Sequence, residues 1–75
     1  MSSPAPSPRD NFESALALGH QEYLSGRYDR AIAAYSEAIG IWPRPIAYLL
    51  RAAAYDRLGD REKAEADRKA VERLC

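Results

Sequence analysis

From Phe12 onward, apolar positions recur at three- and four-residue steps, the period of a helix that turns one face toward a core. The first such face carries Phe12, Ala15, Leu16, Gly19 and Tyr23 and stops at Gly26. Asp10 or Asn11 is suited to open it by accepting a backbone N–H, with Glu13 three residues after Asp10 as in a capping box. A second helix is expected over 28–41, with Ala31, Ile32, Ala34, Tyr35, Ala38 and Ile39 as its apolar positions. Trp42-Pro43-Arg44-Pro45 stops it, because proline offers no N–H and pushes the residue before it out of the helical region. Pro45 fits the first turn of a third helix over 46–58, where its missing donor leaves nothing unpaired. That helix carries Tyr48, Leu49, Ala52, Ala53 and Tyr55 and is closed by Gly59, a residue at ease in a left-handed cap. Asp60 can cap a fourth helix over 61 to about 74, in which Glu65 and Lys69 stand four residues apart as a favourable pair. No segment alternates with the two-residue period of a strand, so the expected fold class is all-α, two antiparallel helix-turn-helix hairpins.

The two hairpins repeat one another at an offset of 33 residues. Gly26 maps to Gly59, Ala31 to Ala64, Ala33 to Ala66, Ala38 to Val71 and Ile41 to Leu74. A repeat of this length is an architecture signal: a pair of short helices cannot bury its apolar face alone, so such units stack. The copies differ in a systematic way. Where the first has Tyr28, Ile32, Tyr35 and Ile39, the second has Arg61, Glu65, Arg68 and Glu72, and residues 51–75 hold 13 of the 22 charged residues. The fourth helix is therefore expected to present a solvated face of the kind that ends a repeat array at its C-terminus.

Composition narrows the function classes. Seventy-five residues make one small domain, on which a groove is easier to build than a deep catalytic pocket. Eleven basic residues balance eleven acidic ones, which removes the electrostatic drive toward nucleic acid or an anionic membrane surface. The single cysteine, Cys75, cannot close an internal disulfide, and neither a signal-peptide run nor a membrane-length apolar stretch is present, so the expected setting is cytoplasmic. Residues 1–10 are expected to form a disordered Ser/Pro-rich tail and residues 11–75 the folded domain.

The run Leu18-Gly19, Tyr23, Gly26-Arg27-Tyr28-Asp29-Arg30-Ala31-Ile32, Tyr35, Ala38 and Pro43 resembles a tetratricopeptide repeat, and residues 12–43 fit its whole pattern. Residues 45–75 are a looser copy through Ala52, Tyr55, Gly59, Ala64 and Val71. The resemblance implies a short right-handed solenoid of two repeats. In it the small residues Gly19, Ala31, Ala38, Ala52 and Ala64 let helices approach, while Tyr35 and Tyr55 fill the space between.

It also implies a non-enzymatic module, an adaptor or scaffold that binds a protein or peptide partner in a concave groove lined by the first helix of each hairpin. Mapped onto this chain, the groove holds Glu13, Leu16, Ala17, His20, Tyr23 and Leu24 from the first helix and Ile46, Leu49, Leu50, Ala53, Asp56 and Arg57 from the third. A subfamily that grips the C-terminal carboxylate of heat-shock chaperones uses lysine and asparagine where this chain has Leu16, His20 and Leu50. A carboxylate set against two leucines loses hydration without gaining a charged hydrogen bond, so chaperone tails are not expected to bind by that clamp. The alternative occupant is another copy of the chain, since two repeats fall short of the roughly three that repeat arrays usually need.

Catalytic chemistry is thinly represented. His20 is the only histidine and Cys75 lies at the far end, so neither a Cys-His pair nor a metal ligand set is expected, nor a cofactor. No glycine-rich phosphate loop follows a strand, because no strand is expected. Arg44 and Arg51 stand two helical turns apart and could hold an anion, against the plainer reading of two surface cations. Trp42 is expected to pack over the interhelical junction rather than to serve as a binding hot spot.

Overall fold

A computed structural model describes residues 7–74, which form four helices: α1 (Pro8–Leu24), α2 (Tyr28–Ile41), α3 (Pro45–Leu58) and α4 (Arg61–Leu74). The expectations for residues 1–6 of the tail and for Cys75 lie outside the described residues. Each helix packs on the next along the chain, α2 also joins the two hairpins by packing on α3, and α1 meets α3 only marginally. The hairpins thus stack through α2 and leave the faces of α1 and α3 side by side.

The first helix begins earlier than the sequence pattern suggests. Ser7, not Asp10 or Asn11, is the cap: its hydroxyl accepts the Asp10 N–H at 3.2 Å while the Asp10 carboxylate accepts the Ser7 N–H at 3.4 Å. Pro8 occupies the first turn, so residues 8–10 belong to the helix and not to the tail. The apolar periodicity starts only at Phe12, which is why it understates the helix by a turn.

Both hairpin turns are closed by the same bonds, 33 residues apart. After α1, Gly26 N–H donates to the Tyr23 carbonyl and Arg27 N–H to that of Glu22; after α3, Gly59 N–H donates to Asp56 and Asp60 N–H to Tyr55. Gly26 and Gly59 adopt φ of +80° and +82°, the left-handed cap that lets the chain reverse. A Cβ at either position would meet open space, so the cost of a side chain there is backbone strain alone. Gly26→Ala and Gly59→Ala are each expected to lose about 1–2 kcal/mol in urea unfolding, and asparagine to lose less at both sites. Asp60 then caps α4 by accepting the Lys63 N–H at 3.2 Å.

The interior is built from small side chains. Of the buried apolar residues, Phe12 and Tyr35 are large and the rest are alanines: 15, 31, 34, 38, 47, 52, 54 and 64. Tyr35 fills the junction of α1, α2 and α3 as expected, but Tyr55 lies half-buried beside Arg51 and Lys63 and fills no interior space. In α3 the buried face is Ala47, Ala52 and Ala54, and Leu49 is turned outward, a choice invisible to a pattern in which every position from Ala52 to Tyr55 is apolar. Glu65 pairs with Arg68 rather than with Lys69. Trp42 sets its ring edge-on against Phe12, with centroids 5.5 Å apart, and so covers the end of the α1–α2 pair.

Candidate functional site

Leu16 and Leu50 each keep one side against Tyr35 and Ala54 in the core and expose the other. On α1, Glu13 precedes Leu16 by a turn and Ala17 and His20 follow it on the same side of the helix, and none of the three is buried. Because α1 and α3 barely touch, these side chains and Leu50 surround an open concavity of about 280 Å³. Its walls are almost wholly carbon. An apolar side chain can enter it at no cost in unpaired polar groups, and a charged one loses hydration there without gaining a partner.

The other seven residues expected in the groove surround this concavity without lining it. Tyr23 packs beneath it against the Tyr35 cluster. Leu24 stands at the C-terminal end of α1 and is 72% exposed; Ile46 and Leu49 lie on α3 at 47% each; Ala53 is half-buried. Asp56 is engaged by Arg68 of α4. Arg57 donates its Nε–H to the Tyr23 hydroxyl at 3.2 Å and lies over that ring, joining the C-terminal ends of α3 and α1. Tyr28 meets the Tyr23 ring edge-on at 5.3 Å.

Beneath the floor, the fully buried Tyr35 hydroxyl finds no hydrogen-bond partner among the described residues, and burial pushes its pKa up. His20 and Glu13 stand on α1 and Asp56 on α3. Among the described residues no group of three or more histidine, cysteine or carboxylate side chains converges as metal ligands would. No helix among them is long and apolar enough to cross a membrane.

The pairing that the sequence pattern missed lies on the other side of α3. Arg51 grips Asp67 through two bonds, Nε to Oδ2 at 2.9 Å and Nη2 to Oδ1 at 2.6 Å, and reaches Ser36 of α2 through Nη1 at 3.0 Å. Asp67 is the one buried charged residue described, 4% exposed. The hydrogen bond to Asp67 raises the Arg51 pKa further above its ordinary value. With Arg51 so engaged and Arg44 laid over the Trp42 ring at 4.4 Å, the two arginines do not converge on an anion. The available signal was the repeat register itself: Arg51 and Asp67 stand where the first unit has Leu18 and Ala34, a matched pair of opposite charges replacing a matched apolar pair.

Compared with known families, residues 46–73 match a family model described as tetratricopeptide repeat. The match falls on the second hairpin, the unit that reads as the looser copy. No curated protein and no solved structure matches the chain.

Proposed function

The chain is of the tetratricopeptide-repeat type, a class of modules that generally mediate protein–protein interaction, and on that premise we propose that it is a non-enzymatic adaptor whose α1–α3 groove takes up a segment of another protein. The observation that carries this reading is the carbon-walled concavity of Leu16, Ala17 and Leu50, with Ile46, Leu49 and Leu24 exposed around it. Side chains that a monomer leaves in water in this arrangement favour a partner that removes them from it. A helix or an extended segment can supply the apolar residues, anchored at three- and four-residue or alternate spacing.

Ala17→Glu tests the groove without touching the core, since Ala17 is exposed and glutamate suits a helix. Peptides selected from a display library on the full chain are expected to lose affinity tenfold or more to the A17E variant. They should be unaffected by Ala33→Glu on the outer face of α2, a loss of about 1.4 kcal/mol at the groove alone. Equal binding to both variants removes the groove from the account.

The inventory of the core favours a second reading, in which another copy fills the groove. Eight alanines inside and seven large apolar residues outside leave a monomer with little hydrophobic stabilisation of its own. Zero net charge does not oppose self-association. Sedimentation equilibrium of the full chain with reductant separates the readings. A dimer dissociated by A17E supports the second copy, and a folded monomer supports the adaptor.

A further inference from the structure

The charges around the groove are not equivalent. Glu13 at the N-terminal end of α1 has Arg9 one turn away, with Nε to Oε1 at 3.4 Å. Asp56 is bound by Arg68. Arg57 differs: its one hydrogen bond among the described residues is to a neutral phenol, and its Nη1 and Nη2 donate to no described group. Every carboxylate near the groove is therefore already matched to a cation, and one cation at its C-terminal end is not matched to a carboxylate.

The guanidinium is also held in place. The bond from Nε to Tyr23 and the cation–π contact at 6.0 Å fix one edge, and Tyr28 supports Tyr23 from behind. The opposite edge, with two parallel N–H donors, is the geometry that matches a carboxylate in a forked pair. Arg57 follows Leu50 by seven residues on α3, about 10 Å along the helix axis.

We propose that the partner segment pairs an apolar side chain, seated between Leu16 and Leu50, with an Asp or Glu side chain about two helical turns away that docks on Arg57. This rests on the groove reading above and adds the chemical class of the segment: apolar with acid at one end, rather than basic or neutral. The net charge of the chain plays no part in the selection; one pre-positioned guanidinium at the edge of a carbon-walled pocket does.

The probes are fluorescein-labelled, hydrocarbon-stapled helical peptides with leucines at positions i and i+4 and glutamate, glutamine or lysine at i+7, each made in both sequence directions. Binding to the full chain is read by anisotropy. In the better direction the glutamate peptide is expected to bind about fivefold more tightly than the glutamine peptide and the lysine peptide more weakly than either, as for one exposed ion pair. The preference should shrink at high salt. It should vanish in Arg57→Gln, whose far-ultraviolet circular dichroism is unchanged, while the glutamine peptide keeps its affinity for that variant. If the three peptides bind alike and all lose affinity to A17E, the acidic requirement is wrong and the groove stands. Failure of all three to bind, or binding indifferent to A17E, overturns the groove reading and this one with it.

Discussion

Gly19→Ala is expected to destabilise the fold by about 2–3 kcal/mol, the range of an over-packed core, although alanine is the better helix former. In the middle of α1, Gly19 is buried, and a Cβ built on it lies 2.5 Å from the Cδ1 and Cε1 carbons of Tyr35. The ring cannot swing aside, because Tyr35 is fully buried among Ala31, Ala54 and the half-buried leucines. Relief must come from moving α1 away from α2, which loosens the whole first hairpin and the floor of the groove above it. For a domain of this size each kcal/mol is roughly 4–8 °C in Tm, so thermal unfolding should show a drop of about 10–20 °C. Gly40→Ala is the control: its Cβ would meet nothing, and the helix should gain about 0.5–1 kcal/mol. A Gly19→Ala protein as stable as the parent would mean that Tyr35 does not pack against α1 in this way.

The fold was legible because its determinants are local. Four helices, their two glycine caps and the proline stop between hairpins follow from short-range rules that act within a turn, and α2 and α4 begin and end where the pattern places them. The helix entry at Ser7 escaped because capping is done by polar atoms upstream of the first apolar residue, where periodicity is silent. Within α3 the pattern says that the helix is apolar but not which side faces in, since Ile46 to Leu50 and Ala52 to Tyr55 are nearly continuous apolar runs. Packing decided that: alanines went where α2 and α4 approach, and the leucines were left for the groove. Of the residues that line the concavity, Glu13, Leu16, Ala17 and His20 lie on one side of α1 and were legible from its spacing. The role of Arg57 was not, because its partner Tyr23 lies 34 residues away on another helix and no local spacing relates them.

The same comparison shows what the second repeat changed. Tyr23, Ile32 and Tyr35 have Asp56, Glu65 and Arg68 as their counterparts, and these three charged side chains pair with one another on the surface. Where the first hairpin presents an aromatic and aliphatic face for α3 to stack on, the second presents an ionic cluster. Exposed pairs of this kind add little stability. Their effect is to keep that face hydrated, while Leu24, Ile46 and Leu49 stay exposed around the α1–α3 concavity.

Asp67→Ala is expected to be the second severe substitution, at about 3 kcal/mol. It removes the acceptor of two guanidinium bonds and leaves the Arg51 side chain, 20% exposed, holding a charge between α2, α3 and α4 with the Ser36 hydroxyl and the faces of Tyr48 and Tyr55 but no anion to meet it. Arg51→Leu should cost a comparable amount for the opposite reason, because Asp67 is then a carboxylate buried without a cation. The two together restore the pair that the first repeat carries at these positions, Leu18 and Ala34, and an apolar pair of suitable volume is commonly as stable as a buried ion pair. The double variant is therefore expected to recover most of the loss, giving a coupling of about 4 kcal/mol or more in a double-mutant cycle of urea midpoints. Additive losses would show that the two side chains act separately. A double variant that regains stability while groove peptides bind as before would place the ion pair outside the recognition surface, as its position on the far side of α3 implies.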